Sequence, residues 1–224
     1  MKRHALSTRI WHWANALSLV VLFMSGLNIS NAHPHLYWGE WGFSPKDAWL
    51  HVARFPGWAT IPGYYSLATA RDWHVLFAWV FGAGLVLFLL VALFNGHLGR
   101  DIATQRGEWR WGVIREDVRA HLRRDFEPAR GKYNFLQKLG YGGVIFVLLP
   151  LMILTGLAMS PGMDAAWPFL SQMFEGRQSA RSIHFILAWG LFAFTIGHVM
   201  LVLLNKPLRN LREMITGGAA RGTA

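Results

Sequence analysis

Four stretches of about twenty apolar residues constrain this chain more than any other feature. They run roughly from Ile10 to Ile29, Trp73 to Phe94, Leu139 to Met159 and Ile183 to Leu204. A hydrocarbon core about 30 Å thick needs about 20 mostly apolar residues in a helix. Backbone groups in lipid must also be satisfied within the segment, so each run reads as a helix. One such run fits a buried helix of a soluble domain. Four in a chain of 224 residues predict an all-α, integral membrane four-helix bundle. Charged residues make up only 15%, against about a quarter in water-soluble domains, so the surface cannot be wholly aqueous. The first run is too long for a cleaved signal peptide, and no small-residue cleavage pattern follows it. The length favours one domain over residues 1–224.

The formal charge of +10 raises the question of nucleic acid. The placement of the charges answers it. Lys2, Arg3 and Arg9 precede the first span. Arg100, Arg106, Arg110, Arg115, Arg119, Arg123, Arg124, Arg130, Lys132 and Lys138 lie between the second and third. Lys206, Arg209, Arg212 and Arg221 follow the fourth. The opposite side holds only Lys46, Arg54, Arg71, Arg177 and Arg181. Basic residues accumulate on the cytoplasmic side of membrane proteins, so both termini and the middle loop are expected there. The excess charge then serves topology and lipid headgroups, not nucleic acid.

In the middle loop, Trp111, Ile114, Val118, Leu122 and Phe126 recur at spacings of three and four. That pattern predicts an amphipathic helix lying in the cytoplasmic interface. A shorter one is expected after Pro207, with Leu208, Leu211 and Ile215 on one face. The loop from Ser30 to Asp72 is long and rich in Trp, Gly and Pro, and is either functional or a cap on the helix ends.

Cysteine is absent. Disulfides, thiolate metal sites, iron–sulfur clusters and covalently attached haem are thereby excluded. No nucleophile–base pair or carboxylate dyad stands out, so no catalytic residue is assigned. Histidine is the informative residue. His4, His97 and His121 accompany the cytoplasmic basic residues, and His33, His35 and His51 belong to the outer loop. His12, His74, His184 and His198 lie in or at the edge of spans, where imidazoles are scarce and usually face an interior partner. His184 and His198 are 14 residues apart on one span. They therefore project within about 40° of one face and about 21 Å apart along the axis. With the N-terminus inside, His12 is level with His198 near the inner surface, and His74 with His184 near the outer one. Two imidazole pairs at two depths suit two six-coordinate haems, each iron taking one ligand per face. Zinc would want three or four ligands at one depth, and a proton relay would want acidic partners that the spans lack. Gly26, Gly82, Gly84, Gly140, Gly142, Gly143, Gly156, Gly190 and Gly197 offer space for a flat macrocycle, or equally for close helix packing. Pro150 should disturb the third span.

Arg9-Ile-Trp-His12-Trp13, Arg71-Asp-Trp-His74, Pro150 through Thr155-Gly156, and Arg181-Ser-Ile-His184 through His198 carry a family likeness. The chain resembles the bacterial cytochrome b561 and nickel–iron hydrogenase b-type cytochrome family over about residues 5 to 210. The resemblance implies a diheme cytochrome b of the bacterial inner membrane. His74 and His184 would hold an outer haem b, and His12 and His198 an inner one. It further implies quinone exchange near the inner haem and a periplasmic redox enzyme or cytochrome as partner. The outer and middle loops are longer than the connections expected of compact members. Arg9, Arg71 and Arg181 adjoin ligand positions and suit either haem propionates or lipid headgroups. Two other classes remain open: a stand-alone oxidoreductase passing electrons from superoxide or another small reductant to quinone, and a haem-free membrane anchor or transporter.

Overall fold

The computed structural model describes residues 6–94, 96, 99, 103–123 and 133–218. In chain order, α1 (Leu6–Ala32) leads to β1 (His35–Leu36) and β2 (Leu50–His51), then α2 (Leu67–Phe94) and α3 (Trp111–Leu122). They are followed by α4 (Phe135–Gly143), α5 (Leu149–Met159), the short α6 (Pro161–Ala166) and α7 (Phe169–Gln172), α8 (Arg177–Leu204) and α9 (Pro207–Thr216). Among the described residues, four helical segments are long and apolar enough to cross a membrane: α1, α2, the composite Phe135–Met159, and α8. The bundle is therefore all-α, apart from a two-residue antiparallel ladder pairing His35 with His51 and Leu36 with Leu50.

Every span begins before its apolar run does. α2 starts at Leu67 because Ser66 ends the loop with a side-chain cap: its Oγ accepts from the Thr69 N–H at 3.3 Å. The polar Arg71 and Asp72 then continue a helix already nucleated. In the third span a π turn over Val144–Leu148 joins α4 to α5. Pro150, lacking an N–H, sits in the first turn of α5, where none is required. The expected disturbance thus takes the form of a widened turn.

The packing is inside-out. The largest fully buried side chains are Asn28, Thr155, Ser18, Ser25 and Ser182, all polar. Large apolar residues such as Leu17, Leu76, Leu87, Leu90 and Leu203 face outward, as helices solvated by lipid require. The helices associate chiefly as two pairs, α1 with α2 and α5 with α8. Phe81, Leu85, Leu149 and Leu191 form the apolar seam between the pairs.

One end of the bundle carries the β hairpin, and we refer to it as the hairpin end. Its loop is tied down at both sides. Asn28 Nδ2 donates to the carbonyls of Pro62 and Tyr64 at 3.0 and 2.9 Å. Asn31 exchanges two hydrogen bonds with the backbone of Phe55. On the other side, Trp49 Nε1 donates to Ser182 Oγ at 2.9 Å, and that hydroxyl donates to the Tyr37 carbonyl at 2.6 Å. Gly176 precedes α8 at φ +117°, and a Cβ there would stand 2.6 Å from the backbone of Gly39 and Glu40. Only glycine suits both the dihedral and the approach.

The opposite, terminal end carries α3 and α9. The amphipathic helix of the middle loop is α3; Phe126, part of that sequence expectation, lies outside the described residues, as do Lys2, Arg3, His4, His97, Arg100, Arg124, Arg130, Lys132 and Arg221. Glu108 accepts from Lys138 at 2.7 Å, and Asp117 from the Leu136 N–H at 2.8 Å, which moors the loop to the third span. The helix expected after Pro207 is α9. It returns to α1: Arg9 Nη1 donates to the Ile215 carbonyl, and Trp13 Nε1 to that of Met214 at 3.3 Å.

Candidate cofactor site

The four span histidines meet in two pairs. At the hairpin end, His74 of α2 faces His184 of α8 with ring centroids 6.2 Å apart and planes at 60°. At the terminal end, His12 of α1 faces His198 of α8 at 6.3 Å and 57°. A metal–imidazole bond of about 2 Å, with about 1.1 Å from nitrogen to ring centre, puts two trans imidazole centroids about 6 Å apart. Both pairs have that separation. It exceeds a direct imidazole–imidazole hydrogen bond, of which the hairpin provides an example: His51 Nδ1 and His35 Nε2 are 2.9 Å apart, with centroids at 4.5 Å.

The hairpin-end imidazoles have matching surroundings. Ser25 Oγ lies 3.0 Å from His74 Nδ1, and Thr155 Oγ1 lies 2.9 Å from His184 Nδ1. A Cβ on Gly26 would stand 3.6 Å from His74 Cε1, and one on Gly156 would stand 3.5 Å from His184 Cε1. Of the other glycines, Gly82, Gly84 and Gly190 abut Ile153, Trp11 and Leu148, which is helix packing. Gly140, Gly143 and Gly197 have nothing within 4 Å of a Cβ. Gly26 and Gly156 thus pack against imidazoles, whereas Gly82, Gly84 and Gly190 pack against neighbouring helices.

Cations gather at the same end. His33, just beyond α1, is half-buried. Burial first, then Arg181, Arg71 and Arg177, hold its imidazole below the ordinary value. Arg177 Nη2 donates to the Met159 carbonyl at 2.7 Å, and its Nε is buried without a partner. Arg181 donates to Gln178 at 3.0 Å. Among the described residues no carboxylate pairs with these arginines. At the terminal end, Arg9 Nε and Trp11 Nε1 are likewise buried donors without partners, and His12 Nδ1 is a buried ring nitrogen without one. Buried donors left over in this way are unusual in a finished structure. Two imidazole pairs spaced for a six-coordinate metal, each beside unanswered donors, fit haem with its anionic propionates. No group of three or more His, Asp or Glu suited to a single metal ion occurs among the described residues.

Of the arginines considered from the sequence, Arg71 and Arg181 lie near His33, and Arg9 reaches the Ile215 carbonyl. Arg177 and His33 were not anticipated, although Arg177, Arg181 and His184 follow the i, i+4, i+7 spacing of one helix face. Ser25 also escaped sequence reasoning.

Fold and site together define a membrane-embedded bundle of the cytochrome b type. The family described as prokaryotic cytochrome b561 matches residues 3–217, and the chain belongs to that family. It is similar to the putative protein-methionine-sulfoxide reductase subunit YedZ1 of Azospira oryzae, 27% identical over 93% of both chains. It is similar also to the putative cytochrome YdhU of Escherichia coli K12, 26% identical over 96% of this chain and 72% of that one. No solved structure matches it. The protein is accordingly an integral inner-membrane electron-transfer protein that carries b-type haem.

Proposed function

We propose that residues 1–224 form a single diheme domain that exchanges electrons between a periplasmic redox partner and the quinone pool. His74 and His184 hold the haem nearer the periplasm, and His12 and His198 the one nearer the cytoplasm. The observation that carries this reading is the equal separation of the two imidazole pairs, 6.2 and 6.3 Å, at opposite ends of α8. Lys and Arg asymmetry supports the orientation, with the terminal end cytoplasmic. The relative named as a reductase subunit supports a catalytic partner, with this chain as its membrane electron carrier.

Bound in these positions, haem iron supplies a reversible one-electron couple. The chain's own residues do the rest. The four imidazoles present neutral nitrogen lone pairs from opposing helices and hold the helices at the spacing iron requires. Arg71, Arg177 and Arg181 at one end, and Arg9 at the other, offer guanidinium donors to carboxylates at the membrane boundary. Buried Ser and Thr hydroxyls satisfy polar atoms without introducing a charge, and the seam around Phe81 and Leu191 keeps water from the interior between the ends.

The reading is tested by adding a quinol to the purified protein in lipid nanodiscs and following the b-type α band. Rapid reduction is expected. A chain that binds haem yet ignores both quinol and quinone would lose the quinone half of the proposal.

A further inference from the structure

The hairpin-end ligands are each held by the same device, built twice from unrelated stretches of sequence. Ser25 and Thr155 are both fully buried. Ser25 Oγ donates to the Val21 carbonyl, four residues back, at 2.7 Å. Thr155 Oγ1 donates to the Leu151 carbonyl, also four back, at 2.7 Å. A hydroxyl has one hydrogen and two lone pairs. With that hydrogen committed to its own helix, each oxygen can only accept from the imidazole beside it. The 3.0 and 2.9 Å contacts are therefore Nδ1–H donations by His74 and His184. Donation from Nδ1 leaves the lone pair on Nε2. Gly26 and Gly156, the next residues in each case, lie against Cε1 of the same rings and admit nothing much larger than a methyl group there.

The terminal-end pair lacks this arrangement, since His12 Nδ1 is buried with no partner. We propose that Ser25 and Thr155 are matched positioning residues that lock His74 and His184 as Nδ1–H tautomers with Nε2 ligating, and thereby lower the potential of the hairpin-end haem alone. The inference rests on the diheme reading above. A ligand imidazole that gives its remaining N–H to an acceptor becomes a more basic donor and favours the oxidised metal. The Leu22 and Met152 carbonyls also stand as acceptors beside the His74 and His184 rings. Deleting a hydroxyl therefore removes the side-chain share of the acceptor and raises the potential of that centre while leaving the other unmoved.

The test is a redox titration of the purified holoprotein in nanodiscs, with the low-spin ferric EPR signals read alongside. Thr155→Val deletes the hydroxyl at nearly constant volume, Thr155→Ser keeps it at smaller volume, and Ser25→Ala provides the matching deletion. Thr155→Val and Ser25→Ala should each shift one of the two couples upward and alter that centre's EPR signal. The double variant should shift it further, and Thr155→Ser should titrate as wild type. Loss of the hairpin-end haem in Thr155→Val with retention in Thr155→Ser also supports the proposal. Unchanged potentials in both deletions, an equal shift of both couples, or a Thr155→Ser variant indistinguishable from Thr155→Val overturns it. A wild-type protein with one haem per chain would instead refute the diheme reading, so the two failures are distinct.

Discussion

His184 and His198 share α8 yet face different helices, His184 meeting His74 on α2 and His198 meeting His12 on α1. Their spacing of 14 residues leaves them about 40° apart around the axis. That offset lets one helix serve two partners.

His74→Ala should therefore remove the hairpin-end haem and spare the other, and His198→Ala the reverse. Haem content per chain and the two-component redox titration report each loss. Equal loss of both centres in a folded His74→Ala variant would show that the pairing is wrong.

Gly156→Ala should be tolerated, because its Cβ would make ordinary contact with His184 at 3.5 Å. Gly156→Val should push the imidazole aside and lower haem occupancy at that end, with an overpacking cost of about 1–3 kcal/mol. Spectra of the two variants, normalised to protein, make the comparison.

The mooring of the middle loop should weaken in acid. Burial alone would push the Glu108 carboxyl up, but hydrogen bonds from Lys138 and the Gln105 N–H, with the Lys138 charge, hold it below the ordinary value. A depressed folded pKa means that this stabilisation is complete above the unfolded value, about 4.3, and is lost as pH falls through the folded one. Glu108→Gln should remove that dependence and leave the buried Lys138 ammonium poorly paired. Faster amide hydrogen exchange in α3 is the expected signature.

His33 should impose a second pH dependence at the hairpin end. Its folded pKa is depressed by burial and by Arg181, Arg71 and Arg177. Its contribution is thus full above the unfolded value near 6.5 and declines as pH falls from there toward the folded value. His33→Gln should flatten thermal stability across that window.

Much of this architecture was legible in the chain. Length and apolarity revealed the spans, and depth alone paired His12 with His198 and His74 with His184. The span starts were less visible, because Ser66 nucleates α2 through a side-chain cap and polar residues then follow within the helix. The ladder of His35–Leu36 with Leu50–His51 is too short to leave a period-two pattern. Ser25 was hidden for another reason. A buried helical serine bonded to the carbonyl four residues back is ordinary in a membrane, and only the partner helix shows that its second lone pair meets an imidazole.

The central claim is that this one chain holds two haems, each between two helices. Haem content per polypeptide, measured on pure protein beside His12→Ala and His74→Ala, tests it most directly. Two haems in the parent and one in each variant are predicted; a parent with a single haem, lost completely in either variant, would contradict the account.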